Sequence, residues 1–143
     1  MLFYIRRKNP QLQEFDKVII GQGLDIVEIE RITSAIERGG DAFINRVYTA
    51  SEIEQAETRK QAKYSYFAGR WAAKEALAKA LGCGIGKDCS FTDIEVLSQP
   101  NGSPRLFLSG NAKITCEKLA GKFLHVSISH EKSYAAAVVT IEG

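Results

Sequence analysis

The amino-acid sequence predicts an α+β fold in which a mainly antiparallel sheet packs against a long central helix. Three observations carry this reading. The hydrophobic patterns run in the order strand, several helices, then hairpin, helix, hairpin. The stretch from about Gln61 to Leu81 is rich in alanine, leucine, lysine and glutamate and holds no proline, as a long helix requires. The apolar runs of the C-terminal third alternate with a period of two around turn signals. A chain of 143 residues, 45% of them hydrophobic, is long enough to bury a real core as one domain. Its boundaries are read as an N-terminal arm over 1–16 and a single domain over 17–143.

Taken in order, residues 1–16 are mixed, contain Pro10 and show no clear period. Val18 to Ile26 reads as a strand ending near Asp25, and Gly21 and Gly23 within it signal a bulge or close backbone approach. Gly21-Gln22-Gly23 is no dinucleotide fingerprint, because the third glycine is missing and the pair sits inside the strand. Val27 to Arg38 follows as an amphipathic helix with Ile29, Ile32 and Ile36 inward, Arg31 and Arg38 outward, and Gly39-Gly40 as its stop. A short helix covers 42–47. Thr49 and Glu52 form a capping box that opens another, ending near Thr58. The long helix then runs to Leu81, with Gly82 placed as its C-cap.

Gly82-Cys83-Gly84-Ile85-Gly86 is a loop whose backbone can approach a ligand closely. Phe91 to Leu97 and Arg105 to Leu108 are strands joined by the turn Pro100-Asn101-Gly102-Ser103. A helix runs from Gly110 to about Leu119. Lys122 to Ser129 and Tyr134 to Ile141 close the chain as two strands around the turn His130-Glu131-Lys132-Ser133.

Composition removes several function classes. A net charge of +2 is too small to argue for nucleic-acid binding by bulk electrostatics. Three cysteines with no CxxC spacing argue for a reducing compartment without a disulfide framework or zinc site. No apolar run reaches membrane-spanning length. The N-terminal apolar residues precede Arg6-Arg7-Lys8, the reverse of a signal peptide, so the expected location is the cytoplasm.

Two acids stand out by position. Asp25 falls at a predicted strand end, where side chains emerge into clefts. Glu75 lies mid-helix on a ridge with Phe67 and Trp71, where an unpaired charge is costly. Arg70, Lys74 and Lys79 bring three cations within about a turn or so of it. Two readings of Glu75 stay open on the residues alone: an i,i+4 partner of Lys79, or a carboxylate that serves a metal and a phosphate. Two carboxylates with substrate phosphates suit Mg²⁺, although 50 residues separate Asp25 from Glu75 in the chain. Ser127, Ser129 and His130 have no GxSxG context, which makes a serine-hydrolase reading weak, and His125 reads as a strand-face residue without a role.

Taken together, these segments resemble the holo-(acyl carrier protein) synthase family. Residues 23–32, opening Gly23-Leu24-Asp25, look like its first motif, and Phe43 to Thr49 with Glu52 like its second. Residues 67–76, which include Arg70-Trp71-Ala72-Ala73-Lys74-Glu75, resemble the third and most specific motif. Residues 82–86 match the loop after it, and Val126 to His130 with Tyr134-Ala135-Ala136 the C-terminal one. The likeness runs from about residue 17 to the end. Residues 1–16 extend beyond where members usually begin, and Gln22 stands where an apolar residue is usual.

The resemblance implies the 4′-phosphopantetheinyl transferase fold and transfer of 4′-phosphopantetheine from coenzyme A to a serine of apo-acyl carrier protein. Adenosine 3′,5′-bisphosphate is released, in fatty acid biosynthesis. It implies Asp25 and Glu75 as catalytic ligands of Mg²⁺. Arg70, Lys74, Lys79, Gly84, Ile85, Gly86 and His130 are implied to lie on coenzyme A. Arg31 and Arg46 are implied to face the acidic carrier protein, with Arg38 a weaker extension. The short type of this family implies a homotrimer with a site at each interface, and neither nucleic acid nor membrane as a partner. Two other classes remain for comparison: a small α+β nucleic-acid-binding module, and a Mg²⁺-dependent pyrophosphatase of nucleotide cofactors that needs no acceptor protein.

Overall fold

The structure, a computed structural model, describes residues 18–143, so the expected arm over 1–16 lies outside the described residues. Strand β1 (Ile19–Glu28) leads into helix α1 (Ile29–Val47), followed by α2 (Ala50–Glu57) and α3 (Lys63–Leu81). Strands β2 (Ile94–Ser98) and β3 (Pro104–Leu108), helix α4 (Gly110–Lys118) and strands β4 (Phe123–His130) and β5 (Tyr134–Glu142) complete it. One antiparallel sheet has the order β1-β5-β4, and β2-β3 form a separate antiparallel pair. The α+β, antiparallel expectation therefore holds, divided between two sheets.

Local chemistry explains the elements. The Thr49 hydroxyl accepts from Glu52 N, and the Glu52 carboxylate accepts from Thr49 N, so the expected capping box opens α2. Gly82 caps α3 in the left-handed conformation at φ 78°, where a Cβ would be strained. The two helices expected on either side of Gly39-Gly40 abut within α1, broken only at Gly40, whose φ of 55° and ψ of −143° kink the axis. The strand expected to begin at Phe91 starts at Ile94, because Phe91–Asp93 wind into a 3₁₀ turn under a Ser90 capping box.

The core sits between α3 and the three-stranded sheet. Val27 of β1 and Ala135, Ala137, Val139 and Ile141 of β5 point into it, and alternate residues point away. Ala68, Ala72, Ala76 and Leu77 of α3 close it from above. The thin alanine surface brings the helix against the sheet, and two glycines bring it closer. A Cβ on Gly21 would fall 2.1 Å from Ala80 O, and one on Gly23 only 1.8 Å from Ala76 O. Nothing larger than hydrogen fits there. The strand also bulges between Ile19 and Gly21, so the glycine signal reported both features.

Two positional expectations change. β1 runs on to Glu28, paired with Tyr134, so Asp25 lies inside the strand and not at its end. It shares the face of Gly21, Gly23 and Val27 and so points toward α3. His130 is the last residue of β4, opposite Ala135, and the turn begins after it.

Candidate active site

β1 and α3 cross so that Gly23 touches Ala76, which places Asp25 and Glu75 on neighbouring stretches of the two backbones. The Asp25 side chain is 15% exposed, and Lys79 Nζ donates to its Oδ1 at 3.0 Å and to Leu24 O at 2.9 Å. Glu75 is half-buried. Burial first, and then the charge of Asp25, push its carboxyl above the ordinary range, while Lys79 and Arg31 draw it down. The acids separated by 50 residues in sequence are thus close enough to repel each other. Lys79 makes its ion pair with Asp25, and acts on Glu75 through its charge alone.

Two partly buried acids, one resisting ionisation because of burial and then because of the other, form a site that a cation would stabilise. The donor set is oxygen only. Among the described residues, no group of three or more His, Cys, Asp and Glu could enclose an ion. An ion here would take two carboxylates and complete its shell with water or substrate oxygens, the pattern that Mg²⁺ prefers. The residues present therefore fit Mg²⁺.

The remaining predicted residues divide. Lys79 joins the two acids, and Arg31, exposed in the first turn of α1, is near enough to act on Glu75. The loop Gly84-Ile85-Gly86 follows the C-cap of α3, at the helix end nearest Lys79. His130 does not join them within one chain. It lies on β4, with the whole of β5 between it and β1, about 10 Å across the sheet.

Lys74 is a correction. It was expected to hold a coenzyme A phosphate, but its side chain is fully buried. Its ammonium donates to Glu52 Oε1 at 2.6 Å, Val47 O at 2.7 Å and Phe91 O at 3.0 Å. All three protons are used, so none is left for a ligand. Glu52 is equally buried and also accepts from Thr49 N and Val96 N. The pair ties the end of α1, the start of α2, the middle of α3 and β2 into one hub. Its full hydrogen bonding lets two charges sit in the core.

Arg70 also departs from the expected place beside Glu75. It is buried, donates from Nε to Val96 O at 3.1 Å and from Nη2 to Ser98 Oγ at 2.8 Å, and lies over the Tyr66 ring at 4.0 Å. Sequence reasoning missed its neighbour. Arg59 lies over the same ring at 4.3 Å, donates from Nη2 to the same Ser98 hydroxyl at 3.1 Å, and buries an Nε with no partner. Among the described residues neither arginine forms a salt bridge, although the charge of buried Glu52 acts on Arg70.

Arg46, at the exposed end of α1, holds its guanidinium 5.8 Å from the Phe43 ring. With Arg38, Ala35 and Ala42 they line an open groove of about 480 Å³ whose floor is apolar and whose rim is basic. On the sheet face away from α3, Leu24 and Ile26 are 65% and 66% exposed, beside Tyr134.

Comparison with known proteins agrees with this geometry. The family model of the 4′-phosphopantetheinyl transferase superfamily matches residues 21–139. The holo-[acyl-carrier-protein] synthase of Ruminiclostridium cellulolyticum is 47% identical over 119 residues, 83% of this chain and 89% of that protein. That of Aliivibrio salmonicida is 44% identical, over 87% of this chain and 98% of its own. Among solved structures, the Helicobacter pylori synthase in complex with coenzyme A superposes with a TM-score of 0.74 at 38% identity, covering 84% of this chain and 98% of that one. The Neisseria meningitidis synthase superposes with a TM-score of 0.80 at 32% identity, covering 88% and 100%. The chain belongs to the 4′-phosphopantetheinyl transferase superfamily and, within it, to the holo-[acyl-carrier-protein] synthases.

Proposed function

We propose that this chain transfers 4′-phosphopantetheine from coenzyme A to a serine of an acidic apo-acyl carrier protein, with Mg²⁺, in fatty acid biosynthesis in the cytoplasm. The observation that carries the reading is the meeting of Asp25 and Glu75 beside Lys79, at the crossing of β1 and α3. In the reaction the serine oxygen bonds to the β-phosphorus of coenzyme A. The bond from that phosphorus to the bridging oxygen breaks, adenosine 3′,5′-bisphosphate leaves and the serine proton is released.

Asp25 and Glu75 would hold the metal on two rigid elements. When bound, Mg²⁺ supplies charge stabilisation at the phosphate that is transferred. Lys79, half-exposed, reaches Asp25 from one side and is the cation free to turn to a pyrophosphate oxygen. Arg70 with Arg59, two neighbouring cations without a salt bridge among the described residues, suits a further phosphate of coenzyme A. The main chain of Gly84, Ile85 and Gly86, which follows the C-cap of α3 near Lys79, suits the nucleotide part of coenzyme A. His130, remote from the carboxylates of its own chain, suits a site completed by a second protomer. The exposed Leu24 and Ile26 on the outer sheet face support such an assembly, read here as the homotrimer. Arg46 and Arg38 line the groove along α1, and exposed Arg31 on the same helix acts on Glu75, a set of cations suited to an acidic partner.

The test is intact-mass analysis of an apo-carrier protein after incubation with this protein, coenzyme A and Mg²⁺. The carrier gains one phosphopantetheine if the reading holds. An unchanged carrier, with phosphopantetheine released to water, would establish a pyrophosphatase instead.

A further inference from the structure

We propose that Gly40 is a positioning residue for the carrier protein: its main chain, in a conformation left to glycine, bends α1 into the groove where that partner docks. The role rests on the transferase reading, since the carrier is its acceptor. The groove of about 480 Å³ is lined by Ala35, Arg38 and Gly39 before the bend and by Ala42, Phe43 and Arg46 after it. All six belong to one helix. Ala35, Gly39, Ala42 and Arg46 are spaced four, three and four apart, so a straight helix would carry them on one stripe, and such a stripe is convex. Three residues on each side of a break enclose a hollow when they flank the inner corner of a bend.

The bend is made at one residue and held at both ends. Gly40 has φ 55° and ψ −143°, the mirror image of ordinary extended backbone, which an L side chain rarely adopts. Before it, Ile32 and Ile36 are buried in the core. After it, Val47 is buried and Phe43 stacks on Trp71 of α3 at 6.2 Å. Each half of α1 is thus held by its own packing. Gly39 adds a close fit, because a Cβ there would fall 2.7 Å from Phe43 Cβ, so one wall of the groove rests on bare main chain. Arg38 is drawn back onto the first half, its Nε donating to Ser34 O at 3.3 Å, and Arg46 on the second half holds its guanidinium 5.8 Å from the Phe43 ring. One cation stands on each half, and the angle at Gly40 sets the gap between them. An apolar floor between two cations takes an apolar side chain flanked by acids, and the gap selects partners that can meet all three at once.

A Cβ on Gly40 would meet nothing within 4 Å, so Gly40→Ala tests the main chain alone. The full chain and its variants are assayed with coenzyme A, Mg²⁺ and an apo-acyl carrier protein. Expected for Gly40→Ala is a rise of about tenfold in KM for the carrier, with kcat and KM for coenzyme A within about twofold of the parent. Arg46→Glu should then raise the carrier KM less in Gly40→Ala than in the parent, because a cation already out of place has less to lose. Ala42→Leu fills the groove with a helix-forming residue, should raise the carrier KM alike, and keeps the test decisive if Gly40→Ala unfolds. Overturning results are an unchanged carrier KM in folded Gly40→Ala, equal rises in both KM values, fully additive effects of Gly40→Ala and Arg46→Glu, or an Ala42→Leu protein that matches the parent. An active parent matched by Gly40→Ala removes this role alone, whereas a parent that leaves the carrier unmodified removes the transferase reading with it.

Discussion

Lys79 Nζ stands 3.0 Å from Asp25 Oδ1, while Glu75, one turn back on the same helix, feels the charge of that aspartate without an ion pair of its own among the described residues. A lysine that pairs with one acid and acts on its helical neighbour only through its charge makes the two carboxylates unequal before any ligand arrives.

Glu75→Gln keeps size and helix propensity and removes the charge. Turnover should fall by about two orders of magnitude or more, on the order of 3 kcal/mol in the barrier. Asp25→Asn should behave alike, and the double variant should be little worse than either, because both acids serve one ion. Measuring kcat beside Tm for all three checks this, and a folded Glu75→Gln protein with near-normal turnover rejects the metal assignment.

Lys74→Met should act on stability instead. It strands the buried Glu52 carboxylate, so the loss should be about 3–5 kcal/mol, whereas Lys74→Met combined with Glu52→Leu should recover much of it. Urea denaturation of the two variants decides. A well-folded single variant would mean that the hub is dispensable.

Arg46→Glu should raise KM for the carrier protein and leave KM for coenzyme A nearly unchanged, with the effect shrinking in high salt as exposed charges are screened over about 10 Å at 0.1 M. Arg31→Glu should in addition lower kcat, because its charge reaches Glu75. Steady-state kinetics at two salt concentrations separate the pair. Equal rises in both KM values for Arg46→Glu would move the groove to the nucleotide.

Alkaline pH offers a fourth check. The Cys89 thiol ionises near 8.5 when unfolded but only at about 12 when folded, so the folded state holds a proton that the unfolded chain gives up. Its contribution is full below the unfolded pKa and is lost as pH rises through that window. Cys89→Ala should therefore start less stable yet lose less of its stability above about pH 8.5 than the parent. Parallel decline of both denaturation curves would contradict it.

Much of this site was legible in the sequence because its signals are local or tied to residue type. Thr49 and Glu52 are three apart, Gly82 follows the last apolar residue of its helix, and Glu75 stands out as a carboxylate on an apolar ridge, although the residues alone leave both of its readings open. What escaped depends on distant partners. Lys74 looks like any helical lysine until Glu52, 22 residues away, is folded against it. Ser98 gathers Arg59 and Arg70 from 39 and 28 residues away, a convergence that no spacing encodes. The place of His130 was missed because strand ends are set by pairing with Ala135, and a turn signal marks only the neighbourhood of an end.

The contact of Gly23 with Ala76 has a consequence for how the site tolerates change. Asp25 is two residues beyond one partner of that contact, and Glu75 is one residue before the other. The separation of the acids is thus a main-chain dimension, set where two backbones touch without side chains between them. Core residues such as Val139 or Leu77 could be resized with repacking around this point, and the gauge between the carboxylates would stay the same. A single methyl group on Gly23 would act as a shim, driving strand and helix apart and opening the gap between the carboxylates.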